Sequence, residues 1–385
     1  MKVGGDWLEA APTQAVFALL TDAGHQALAV GGCVRNAALD AAVTDIDLAT
    51  DARPDRVVAL ADAAGIRAVP TGIDHGTITL IVDGVPHEVT TFRADVETDG
   101  RHAVVAFSDD VATDAARRDF TMNALYARAD GTVVDPLDGL PDLRARRVRF
   151  IGDPHARIRE DYLRILRFFR FTAWYGDPGL GIDADGLAAC AELADGLDGL
   201  SRERVGQEVR KLLSAPDPAP MVATMERSGI LARILPGAEA APLSVLVHLE
   251  DGIEPAWIRR LALLGGEADD LRLSKAEART TQILAKTGRG DVRPFVFGNL
   301  LGPSLGRDAL LIHSALTGHP VAAEDLELVA RGAVAKFPLA AADLMPALTG
   351  PSLGEALDDA LQAWLLSDGA LTKDDLLRRV SNHRH

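Results

Sequence analysis

The sequence predicts a mixed α/β or α+β N-terminal region followed by an all-helical remainder. Short β-branched runs alternate with helical stretches over residues 1–140. Strand signals mostly stop from about residue 143. Beyond residue 216 the chain is Ala- and Leu-rich helix broken by Gly and Pro.

In order, "QALAV" (26–30), "TDIDLAT" (44–50), "TITLIVDG" (77–84) and "PHEVTTFR" (86–93) read as strands, being short and β-branched. "PDRVVALADAAG" (54–65) reads as a helix opened by Pro54 and closed by Gly65. Residues 93–117 are polar, acidic and weakly periodic, which predicts a long mobile loop. Residues 153–176 read as one long helix and 202–216 as another, closed by Pro216 and Pro218.

The chain has 385 residues, room for two or three domains. Its formal charge of −16 by itself argues against a nucleic-acid partner. Cys33 and Cys190 are the two cysteines, which predicts reduced core thiols in a cytoplasmic protein and no disulfide framework. "MKVGGDWLEA" lacks the pattern of a signal peptide, and no apolar run suits a membrane-spanning helix.

In a strand, residues i and i+2 share a face, so Asp45 and Asp47 are expected side by side with Ile46 turned to the core. Two adjacent carboxylates repel unless a cation joins them. Oxygen ligands of this kind suit Mg²⁺, which also takes substrate phosphates. Glu88, in another strand candidate, is a third carboxylate for phosphoryl or nucleotidyl transfer. An isolated Asp-x-Asp also occurs in turns; the glycines upstream favour chemistry. Gly31-Gly32 ends an apolar strand, where backbone N–H groups can meet a phosphate, and Arg35 follows as a clamp.

Arg164, Arg167 and Arg170 recur every three residues amid Leu163, Ile165, Leu166, Phe168, Phe169 and Phe171. Arginines embedded in apolar surface predict a row lining a cleft between domains. From Arg144 to Arg170 nine arginines face Asp153, Glu160 and Asp161, a basic segment suited to polyphosphate or RNA.

These pieces together resemble class II tRNA nucleotidyltransferases, the CCA-adding group related to bacterial poly(A) polymerase. The resemblance covers roughly 29–213: "GGCVRN" with "DIDLAT", "RRDFTMNAL", "DPLDGLPDL" with "RFIGDP", "EDYLRILRFFRF" and "RERVGQE" match five ordered motifs. It implies a polymerase-β-like catalytic head of mixed sheet and helices over 1–140. A helical neck for nucleotide recognition (141–215) and a helical body and tail for tRNA binding (216–385) would follow. It implies that Gly32 and Arg35 grip the nucleotide and that Asp45 and Asp47 hold Mg²⁺. Arg118, Asp161, Arg164, Arg167 and Arg170 would contact the nucleotide, while Asp119 and Asn123 support the motif's geometry. Asn36 stands where the family usually has Asp, and Leu137-Asp138 where Phe-Gly is usual.

The implied activity is untemplated addition of C and A to tRNA 3′ ends from CTP and ATP, with pyrophosphate released. "TGIDHGT" (71–77) favours this branch over poly(A) polymerase. CC-adding and A-adding variants stay open, as does a non-catalytic RNA-binding protein of the same fold. Cytosine and adenine both carry an exocyclic amine beside a ring-nitrogen acceptor. Asp161, an acceptor, and Arg164, a donor, are therefore expected to pair with C or A and to reject G and U.

Overall fold

The structure is a computed structural model describing residues 1–99, 102–290 and 292–382. Two compact units divide the chain, Met1–Glu208 and Val209–His385.

The first unit is built on a mixed sheet. Its strands are β1 (Ala27–Val30), β2 (Asp47–Thr50), β3 (Arg67–Gly72), β4 (Thr77–Val82), β5 (Val85–Thr91), β8 (Tyr126–Ala127) and β9 (Val133–Val134), in the order β3-β4-β5-β2-β1-β8-β9. Among the described residues only the β2–β5 pair is parallel; it sets Asp47 opposite Glu88 and Leu48 opposite Val89. In β4, Ile78, Leu80 and Val82 face the core while the residues between are half-buried, the period expected of a strand with one covered face. The central β1 is buried along its whole length.

A separate hairpin, β6 (Arg93–Asp99) and β7 (His102–Phe107), and the helix Val111–Ala116 occupy the segment expected to be a loop. Residues 100 and 101 lie outside the described residues. Acidic and polar residues mask the period of the pair, so strand pairing overrides weak local signals. The strand β3 was not among the expected strands; it contains Pro70 and is an edge strand, where a missing N–H is tolerated.

The helix expected over 153–176 is two helices, Pro154–Glu160 and Leu163–Tyr175. Asp161 takes an extended backbone (φ −155°, ψ 105°), and its carboxylate accepts the Leu163 N–H at 3.1 Å. Aspartate prefers such a cap to a helix interior. Phe120, Phe150, Phe168 and Phe171 then pack as one aromatic cluster, with ring centroids 5.0–6.1 Å apart. That cluster fixes the second helix against the segment Arg117–Phe120.

The second unit contains helices and no strand among the described residues. One core gathers Phe295, Leu344, Trp364 and Leu376. Among the described residues, no helix is long and apolar enough to cross a membrane.

Candidate active site

Gly31 ends β1 with φ 71° and ψ −116°, a backbone that glycine adopts at little cost. A Cβ there would lie 3.5 Å from Arg118 Nη1, inside a cavity of about 430 Å³. Every residue lining that cavity belongs to the first unit: eight come from residues 31–123 and four, Asp161, Arg164, Arg167 and Phe171, from the segment that carries the arginine row. Of the expected site residues, Gly32, Arg35, Asp47, Arg118, Asp161, Arg164 and Arg167 line it.

Asp45, Glu88 and Arg170 do not. The strand β2 begins at Asp47, so Asp45 lies exposed in the coil before it, not on a shared strand face. Glu88 is exposed, yet it is Asp47's direct cross-strand neighbour. Arg170 turns away because a helix advances 3.6 residues per turn. Two steps of three therefore rotate it about 120° from Arg164. Its Nε donates to Glu208 at 2.6 Å, and its guanidinium packs on Phe171.

Burial first, and then the Glu88 carboxylate, push the Asp47 pKa up to about 6; Asp45 adds to this and Arg118 opposes it. Among the described residues, no three His, Cys, Asp or Glu side chains are gathered closely enough to hold one metal ion. The carboxylates thus form an under-compensated anionic group, not a closed cage. Such a group fits a divalent cation that draws its remaining ligands from substrate phosphates and water.

The other wall is a chain of ion pairs. Arg167 Nε donates to Asp119 at 2.7 Å, and Asp119 also accepts from the Asn123 amide at 2.9 Å. Burial would raise the Asp119 pKa, but the Arg167 charge and these hydrogen bonds hold it below the usual range. Asn123 in turn accepts from Arg35 at 2.6 Å. Arg164 is held by Glu160 at 2.6 Å and by the carbonyls of Arg157 and Arg117. Asp161 is held by Arg204 at 2.6 Å. Asp161 and Arg164 thus both face the cavity, each with a different partner.

Sequence reasoning missed Arg117 as a lining residue and missed the group that holds it. Asp114 is fully buried and accepts from Arg117 (2.8 Å), Arg118 (3.1 Å) and the Tyr126 hydroxyl (2.7 Å). The i,i+3 and i,i+4 spacing of Asp114 to the two arginines was available as a signal. The partnership of Asp161 with Arg204, 43 residues away, left no local signal.

Residues 27–149 match the family described as Poly A polymerase head domain, and residues 179–241 the one described as Probable RNA and SrmB-binding site of polymerase A. The chain is 32% identical to the mitochondrial CCA tRNA nucleotidyltransferase 1 of Mus musculus, over 92% of this chain and 86% of that protein. It is 40% identical to the CCA-adding enzyme of Levilactobacillus brevis, over 53% of this chain and 50% of that one. The crystal structure of the Bacillus stearothermophilus CCA-adding enzyme in complex with CTP superposes with a TM-score of 0.71 at 25% identity, covering 97% of this chain and 98% of that one. With a full-length relative above 30% identity, this chain belongs to the CCA tRNA nucleotidyltransferase family.

Proposed function

We propose that this chain adds C and A to the 3′ end of tRNA, taking CTP and ATP and releasing pyrophosphate. One observation carries the reading: a single cavity joins the Gly31-Gly32 turn, Asp47 and the pair Asp161 and Arg164. The catalytic group is Asp45, Asp47 and Glu88, and Asp45 and Asp47 would hold Mg²⁺. When bound, divalent cations activate the attacking ribose hydroxyl and neutralise charge on the leaving pyrophosphate. Gly32, Arg35, Arg118 and Arg167 grip and orient the nucleotide, with Arg170 supporting Arg167 through their common partner Glu208. Asp161 accepts from the exocyclic amine of C or A, and Arg164 donates to the neighbouring acceptor. We divide the labour as head 1–140, neck 141–215, and body with tail 216–385. The two buried free thiols suit a reducing compartment, and we infer a cytoplasmic location.

The test is addition of labelled CTP and ATP to tRNA lacking its 3′ end, followed by sequencing of the product. C-C-A on every product is expected. A run of A alone would indicate a poly(A) polymerase, and no incorporation an RNA-binding protein of this fold.

A further inference from the structure

Arg35 is 7% exposed, and every group that holds it is neutral. Its Nε and Nη2 donate to Asn36 Oδ1 at 3.2 and 2.9 Å, and its Nη1 to Asn123 Oδ1 at 2.6 Å. Its Nη2 also donates to the Tyr175 hydroxyl at 2.8 Å. The guanidinium carbon lies 4.1 Å from the Tyr175 ring centroid and 5.1 Å from that of Phe171. The nearest acid in this chain of contacts, Asp119, is committed to Asn123 and Arg167.

A buried guanidinium needs compensation. A carboxylate would supply it by cancelling the charge. An aromatic face and a hydroxyl supply it and leave the positive charge in place. Arg35 sits one turn after the Gly31-Gly32 turn, whereas Tyr175 ends the helix that carries Arg164 and Arg167. We propose that Tyr175 is a positioning residue for nucleotide addition, holding Arg35 toward the polyphosphate of the incoming nucleotide without neutralising it. This rests on the reading of Arg35 as part of the nucleotide grip.

The experiment compares Tyr175→Leu, Tyr175→Phe, Arg35→Ala and the double variant Arg35→Ala/Tyr175→Leu. It measures kcat and KM for CTP and ATP on tRNA lacking its 3′ end, with thermal melting to confirm folding. Tyr175→Leu is expected to raise KM for both nucleotides about tenfold with kcat within about twofold of the parent. Tyr175→Phe keeps the ring and is expected to stay within about threefold of the parent KM, and above it. The double variant should match Arg35→Ala alone, because the tyrosine acts through the arginine. Preference for C and A over U and G should not change.

Parent KM in both tyrosine variants, or a Tyr175→Leu effect that adds in full to that of Arg35→Ala, would overturn the proposal. A lowered melting temperature and lowered kcat at parent KM, with no rescue by phenylalanine, would mean a merely structural tyrosine. If Tyr175→Leu does not fold, Tyr175→Phe alone decides by whether its KM rises. An unchanged KM in Arg35→Ala would remove the grip reading itself and this inference with it.

Discussion

Both units set arginines among apolar residues on a helix, to opposite ends. In "LRILRFFRF" of the first unit, Arg164 and Arg167 are held by Glu160 and Asp119 and still line a cavity. In "WIRRLALL" of the second, Arg259 and Arg260 are each 1% exposed and line none of the described cavities. Arg260 bonds Glu250 twice, at 2.8 and 2.6 Å, and the carbonyls of Leu213, Ala215 and Pro216 at 2.5–3.1 Å. Those contacts engage all five guanidinium donors. Arg259 bonds Glu250 and Asp308, both at 2.7 Å. Apolar neighbours therefore mark an arginine as buried, not as functional. What separates the two regions is the open cavity on one side of the first.

The largest effect should come from the cavity itself. Asp47→Ala is expected to lower nucleotide addition by several orders of magnitude with the fold intact, as read by single-turnover rates and melting. Near-parent rates would leave the first region as structural as the second. Next, Glu250→Ala should cost about 3–5 kcal/mol of stability, because it removes the carboxylate that two buried guanidiniums share and leaves Arg260 with carbonyls alone. Denaturant unfolding of the full chain measures this, and a cost near zero would break the comparison from the other side. Asp161→Ala or Arg164→Ala should then relax the preference for C and A over U and G by about 10–10²-fold, one lost charged hydrogen bond being worth roughly 1.5–3 kcal/mol. A ratio unchanged at measurable activity would reduce the two to ion-pair partners of Arg204 and Glu160.

The raised pKa of Asp47 sharpens the contrast through pH. Its carboxyl binds protons more tightly folded than unfolded, so it favours the fold below about pH 4. That contribution is lost as pH rises toward about 6. Without divalent cation, melting temperature should fall across that window, and saturating Mg²⁺ should reverse the fall at its upper end. Asp47→Asn should flatten the dependence. A parent profile in that variant would place the titration elsewhere.

Much of this was legible beforehand, and the failures share a cause. The strands β1, β4 and β5 and the helix Pro54–Ala63 announce themselves through local pattern, and so do the five motifs. The hairpin β6–β7 did not, because a two-stranded pair draws its stability from its partner and not from its own period. The break at Asp161 is a cap placed inside an apparently continuous helical run. Arg170 was grouped with Arg164 by spacing, apolar surroundings and resemblance, though the helical twist carries it to Glu208. Sequence named most of the residues lining the cavity, but the groups that hold them are tertiary neighbours: Asp119 for Arg167, Arg204 for Asp161, Tyr175 for Arg35.

The smallest effect tests the same distinction within the basic segment. Arg144, Arg146, Arg147 and Arg159 are exposed, with no acidic side chain paired to them among the described residues. Arg164, Arg167 and Arg170 are committed to Glu160, Asp119 and Glu208. Only an uncommitted cation releases counterions in full when it meets a phosphate. Affinity for tRNA should therefore fall with salt despite the net charge of −16. Each of Arg144→Gln, Arg147→Gln and Arg159→Gln should flatten the slope of log affinity against log salt by about 0.7–0.9 where that arginine touches RNA. Across a fourfold change in salt this is a factor of about three, measurable by filter binding. Arg170→Gln should leave the slope as it was, because its charge is already spent on Glu208. If Arg170→Gln flattened the slope and the exposed arginines did not, the inner row would be the RNA surface, and the line drawn between committed and free arginines would fall.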